Sequence, residues 1–138
     1  MAGYSSTPLA KKLGIKNGFK IRLINAPDYY FDLFTDLPGD IKILTDKKSK
    51  KNFIHLFAKT LNEFEKHIHE LKNEIEPDGI IWVSWYKKSA KIPTDVTEDK
   101  IRNTALSVGL VDIKVCAVDG VWSGLKLVIP VKQRIGLK

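Results

Sequence analysis

The chain has 138 residues, 43% hydrophobic and 28% charged, with a formal net charge of +7; this is globular composition, outside the disordered class. No apolar run approaches the roughly 20 residues of a membrane-spanning helix, and the lone Cys116 excludes an internal disulfide. The opening MAGYSSTPLAKK lacks the apolar core of a signal peptide, so the expectation is a cytoplasmic protein.

Along the chain, Ser5-Ser6-Thr7-Pro8 reads as a helix start, with Thr7 as cap and Pro8 in the first turn; the helix runs to about Leu13 and stops at Gly14. Phe19 to Ile24 alternates as a strand, broken by Asn25-Ala26-Pro27. Asp28 to Phe34 is a short helix, Ile41 to Leu44 a second strand and Phe53 to Phe57 a third. Thr60 and Glu63 form a capping box. Leu61, Phe64, Ile68, Leu71 and Ile75 follow at steps of three and four, as one face of a helix from Thr60 to Glu76 requires. Ile80 to Trp85 is nearly all apolar, as in a strand buried on both faces. A polar stretch leads to a helix from about Thr97 to Val108, with Gly109 past its end. Val111 to Val118 and Leu125 to Val131 are strands joined at Asp119-Gly120.

This order predicts one three-layer, Rossmann-like α/β domain over residues 1–138. Its five- or six-stranded sheet is mostly parallel, ends in an antiparallel hairpin and runs in the order 2-1-3-4-6-5. Two points stay open. The Thr45 to Asn52 link is short for a parallel crossover, so it is either an extended return or a hairpin turn. In the last hairpin, apolar faces match only if Val115 pairs with Leu125 and Ile113 with Leu127, which calls for an extra residue, expected as a β-bulge at Ser123-Gly124.

Three segments, YSSTPLAKKLGIKNG, DGIIWVSWYKK and LVDIKVCAVDGVWSGLKLVI, resemble a small bacterial family of domains of unknown function, over nearly the whole chain. The resemblance implies no particular activity. At lower resolution the second half is similar to the latter part of class I methyltransferases. In those, a helix leads through a PDG turn to a buried strand, and a second helix ends at a glycine before a terminal hairpin. Such enzymes place a glycine-rich turn after the first strand; here Asn25-Ala26-Pro27-Asp28 stands there, with no glycine and a proline that removes a donor. Asp46 is the one acidic residue placed to hold a ribose. The resemblance thus implies the architecture without the S-adenosylmethionine site, and no cofactor is expected.

No Ser-His-Asp order, nucleophile elbow, phosphate-binding glycine loop or paired-cysteine site is present, so no catalytic residue is assigned and an enzyme is disfavoured. His67 and His69 are two apart on a helix and do not share the face that a metal pair needs, so no metal is expected. His55 in FIHLF reads as a packed histidine, and Cys116 as a small packed thiol beside Lys114. Trp82 and Trp85 must lie on opposite sheet faces.

If the strands are parallel, the loops after them share one edge. Lys47, Lys48, Lys50 and Lys51 against Asp46 make one loop net +3, and Lys87, Lys88 and Lys91 against Asp95 make the other net +2. An anionic ligand is then expected at the carboxyl edge, held by Ser6, Asn25, Thr45, Asp46, Lys47, Lys48, Trp85, Lys87, Lys88 and Lys91. The leading expectation is a non-catalytic binding or regulatory module for an anionic small molecule or acidic partner. A degenerate methyltransferase-like enzyme and a nucleic-acid-binding protein are the alternatives, with no membrane association. Lysine loops that serve only to solubilise are the competing explanation.

Overall fold

A computed structural model describes residues 7–135. Helix α1 (Leu9–Leu13) ends at Gly14, whose φ of 89° lies in the left-handed region that glycine enters without strain. Pro8, not Thr7, occupies the cap position and makes no side-chain cap bond. The Ala10 and Lys11 N–H groups donate instead to Asp36 Oδ1 and Oδ2, each at 3.0 Å. A carboxylate twenty-five residues away thus supplies a cap that no local pattern announces.

Strands β1 (Lys20–Ile24), β2 (Lys42–Ile43), β3 (Lys51–Phe57), β4 (Ile75–Tyr86), β5 (Val111–Ala117) and β6 (Trp122–Val128) form one sheet in the order β2-β1-β3-β4-β6-β5. β1 to β4 are parallel, and β6 runs antiparallel to both β4 and β5. This is the predicted topology. Helices α2 (Leu61–Leu71) and α3 (Glu98–Ser107) cover one face, packing Phe64, Ile68, Ile101 and Ala105 onto Ile54, Ile81, Val83 and Leu127. On the other face Ala10 and Leu13 of α1 meet Ile21, Phe53 and Trp82. Trp82 Nε1 donates to Leu13 O at 2.8 Å, so the buried indole fixes the end of α1 against the sheet. Trp85 packs into the α2–α3 side, opposite Trp82 as the alternation requires. No described helix is long and apolar enough to cross a membrane.

The short link between β2 and β3 is an extended return. β2 pairs only with the first residues of β1, Lys42 with Lys20 and Ile43 with Ile21. The chain leaving β2 is therefore already near the end of the sheet where β3 starts, and no helix is needed to bring it back. Asp46 folds the link by accepting the N–H groups of Lys48 and Ser49 at 3.1 and 2.7 Å. Lys51, wholly buried, donates Nζ to Asp46 O and lies 3.4 Å from Glu74 Oε1. Arg22 Nη1 lies 2.5 Å from the same oxygen.

Two boundaries differ from the sequence reading. β4 begins at Ile75, because Lys51 faces Ile75 while Phe53 faces Ile80, and residues 76–79 bulge between them. Gly79 permits that bulge: a Cβ there would stand 2.8 Å from Ile75 Cβ and 2.9 Å from Glu76 O. In the final hairpin Val115 does face Leu125, but the extra residue is not a bulge at Ser123-Gly124. Val118 N donates to Trp122 O, and Asp119 Oδ1 accepts from Val121 N and Trp122 N, so the turn itself holds three residues. The bulge falls at Ile113: Asp112 faces Leu127 and Lys114 faces Lys126.

Removing the carboxylate of the amino-edge cluster leaves Lys51 buried without a counter-charge. The Glu74→Ala variant is expected to lose about 3–5 kcal/mol of unfolding free energy, measured by urea titration; a loss under about 1 kcal/mol would show the cluster to be solvated.

Candidate functional site

The carboxyl edge is formed by the ends of β1, β3 and β4, where strand order reverses between β1, whose next strand lies on one side, and β3 on the other. Ligands of open α/β sheets collect at such a reversal. Two clefts open there. The larger, about 860 Å³, is lined by Trp85, Lys87, Lys88, Ser123 and the start of α3 with Glu98 and Asp99. The smaller, about 380 Å³, lies over the turn after β1 and is lined by Asn25, Asp28, Tyr29, Lys59 and Trp122. Tyr86 and Ile92 border both. The Tyr86 ring stacks on Trp122 with centroids 4.4 Å apart, and Trp122 meets Phe57 edge-on at 5.0 Å. The wall between the clefts is thus an aromatic stack of Tyr86 on β4 and Trp122 on β6, backed by Phe57 of β3.

The predicted residues divide between two edges. Asn25 stands exposed at the carboxyl edge with φ 59°, a left-handed conformation that glycine would adopt more readily. Trp85, Lys87 and Lys88 line the larger cleft, and Lys91, also left-handed at φ 55°, stands in the same loop. Thr45, Asp46, Lys47 and Lys48 lie instead at the amino edge, in the return to β3. Lys47 Nζ is 3.6 Å from Glu70 Oε2 near the end of α2, and Lys50 donates to Asn73 O at 2.7 Å. The expected convergence of the two lysine loops therefore does not occur, because β2 is too short to carry its following loop to the far edge. Ser6 lies outside the described residues, and the Ala10 and Lys11 N–H groups at the start of α1 are held by Asp36. The lysines of the larger cleft also face Glu98 and Asp99, both engaged by Arg102, so its charge is mixed. Lys59, Tyr29 and the Tyr86–Trp122 stack were not predicted as a group, since only the fold brings residues from four segments together.

Beneath the edge lies a sealed polar chain. Tyr30 OH is 3.0 Å from His55 Nδ1, and His55 Nε2 is 2.7 Å from Ser84 Oγ. His55 and Ser84 are wholly buried and Tyr30 nearly so, while His55 stacks on Phe57 at 4.2 Å. Burial pushes His55 down to about 3 and Tyr30 upward, so the imidazole is neutral and bridges two hydroxyls. A Ser–His pair needs access to a substrate; this one has none and is structural. His67 is half-buried and His69 exposed on α2. Among the described residues no three His, Cys, Asp or Glu side chains gather to hold a metal ion. Cys116 is half-buried, and its thiol is pushed up by burial.

No protein-family model matches the chain, and no curated protein does. Solved structures that resemble it include several methyltransferases. An S-adenosylmethionine-dependent methyltransferase from Aquifex aeolicus superposes at a TM-score of 0.58 with 15% identity over 85% of each chain. Aeropyrum pernix fibrillarin, in complex with natively bound S-adenosyl-L-methionine, gives 0.59 and 12% over 87% of this chain and 73% of that one. The ribosomal protein L11 methylase of Lactobacillus delbrueckii subsp. bulgaricus gives 0.55 and 11% over 85% and 72%. The likeness is one of fold: a Rossmann-like sheet of methyltransferase type.

That fold implies S-adenosylmethionine, and the residues present do not fit it. The turn after β1 carries a side chain at Asn25, Ala26 and Pro27, and Pro27 offers no N–H. Asp46, the carboxylate considered for a ribose, is at the opposite edge, and its Oδ2 accepts two N–H groups of its own turn.

Because the unfolded chain takes up a proton on histidine near pH 6.5 and folded His55 only near 3, its contribution to stability is complete above about 6.5. It is lost as the pH falls toward 3. The wild type is expected to lose up to about 1.4 kcal/mol per pH unit more steeply across that window than His55→Gln, measured by urea unfolding at stepped pH. Parallel slopes for the two proteins would place His55 in contact with water.

Proposed function

We propose that the chain is a non-catalytic small-molecule binding module, whose ligand is a planar ring bearing an anionic group, seated at the carboxyl edge. The observation that carries this is the Tyr86–Trp122 stack, which walls the 380 Å³ cleft beside Lys59 at the point of strand reversal. A ring lies against the exposed side of Tyr86, and Lys59 and Lys88 flank the wall with positive charge. The apolar remainder of the wall, Ile92 and Trp122, excludes water from the ring. In this reading a cytoplasmic location accompanies the single half-buried Cys116. The three signature segments support membership of the small bacterial family named above: they form α1, the end of β4 and the β5–β6 hairpin, which meet around Trp82.

A degenerate methyltransferase-like enzyme is the second reading, favoured by the fold likeness alone and opposed by the Asn25–Pro27 turn. Calorimetric titration distinguishes the two, and no one-to-one low-micromolar signal with S-adenosylmethionine is expected.

The binding site is tested by thermal shift with a panel of nucleoside phosphates and aromatic carboxylates. A ligand present at a hundred times its dissociation constant adds about 2.7 kcal/mol of stability. Tyr86→Ala and Lys59→Glu are each expected to weaken a stabilising ligand roughly tenfold, about 1.4 kcal/mol. A panel without effect, or variants that respond as wild type, would remove the site.

A further inference from the structure

A second basic surface lies away from both edges, on the face that carries α1. There α1 covers Ile21, Phe53 and Trp82 on the central strands and reaches Cys116 of β5, while further along the hairpin Lys114 is exposed and Lys126 half-buried. Lys126 of β6 faces Trp82 on one side and Lys114 of β5 on the other, so the two lysines form a directly opposed cross-strand pair. Like charges in that position are unfavourable. The three-residue turn sets this register, and the bulge at Ile113 takes Asp112, which strict alternation would place on the same face as Lys114, to the α3 side, where Arg102 Nε holds it at 2.9 Å. Lys12 reaches over from α1, donating Nζ to Ala117 O on β5 at 2.9 Å, which leaves two of its N–H bonds for other partners. Lys16, just past α1, adds its field to Lys126, whose ammonium is pushed down by partial burial, by Lys114 and by Lys16. None of these four lysines forms an ion pair with a carboxylate of the described residues.

We propose that this shelf docks the phosphate backbone of a nucleic acid, through charge and without reading sequence. The shelf is an open strand surface outside the clefts at the sheet edges, so it does not enclose a small anion. Four cations from three elements, spread over two strands and a helix end, match a partner with regularly repeated negative charge. No aromatic ring stands exposed among them to stack a base, which leaves phosphate contact as the recognition chemistry. The surface is independent of the carboxyl-edge site, and each stands if the other fails.

The test is fluorescence anisotropy of labelled mixed-sequence RNA and DNA at rising potassium chloride. The wild type is expected to bind both, since nothing on the shelf senses the 2′-hydroxyl. Lys114→Glu/Lys126→Glu exchanges one like-charged pair for another, so its thermal midpoint stays near wild type. Its affinity falls roughly tenfold or more, and the logarithmic salt slope drops by about 1.5, two contacts at about 0.7–0.9 each. Lys47→Glu/Lys48→Glu, with the same change in net charge at the amino edge, keeps most of the affinity. A shelf variant that binds as wild type, or an amino-edge variant that loses as much, would overturn the proposal. Binding to a poly-glutamate peptide without binding to either oligonucleotide would also overturn it, and would assign the shelf to an acidic protein.

Discussion

The wholly buried Lys51 constrains this fold more than any other residue. An ammonium out of water requires compensation, and it receives two kinds: the Asp46 carbonyl at the turn before β3 and the Glu74 carboxylate ahead of β4, itself shared with Arg22 of β1. Four segments are thereby tied at one point. The tie holds the two-residue β2 beside β1 and brings the following loop straight back to β3 without a helix. It also keeps the lysines of that loop at the amino edge, beside Glu70 and Asn73.

The opposite edge is built from aromatic rings. Tyr30, Phe34, His55, Phe57, Trp122 and Tyr86 make a continuous series of ring contacts from the turn after β1 to β6. In a cofactor-binding sheet of this kind that region must admit backbone close to a ligand. Here the rings and the side chains of the Asn25–Pro27 turn line it, and the two clefts open on either side of Tyr86.

Positive charge therefore falls in three separate places. At the amino edge Lys47 pairs with Glu70, and Lys51 and Arg22 share Glu74. At the carboxyl edge it faces Glu98 and Asp99, which Arg102 already engages. On the α1 face Lys114 and Lys126 stand opposite one another with no acid of the described residues paired to them, and the bulge at Ile113 keeps Asp112 off that face. Net charge alone does not distinguish these three cases, since the counter-charges come from elements distant in sequence.

Much of the fold was legible in the sequence because its signals are local. The Thr60–Glu63 capping box, the apolar steps from Leu61 to Leu71, the apolar run from Ile80 to Trp85 and the glycines after α1 and α3 each report a short-range preference. Their order together with handedness rules led to the observed strand order. The Asp119-Gly120 signal marked a hairpin, and matching apolar faces located Val115 opposite Leu125. What the sequence could not determine depends on where chains return. Whether Asp36 or Thr7 caps α1, whether Lys47 joins Lys87, and whether Ile113 or Asp112 faces Leu127 are all questions of register and strand length. They are settled by contacts between residues tens of positions apart, and a shift of one residue in a strand exchanges its faces. Sequence determined the elements and their order; tertiary structure decided which lysines share a surface, because a bulge and a buried ammonium move charges without altering any local pattern.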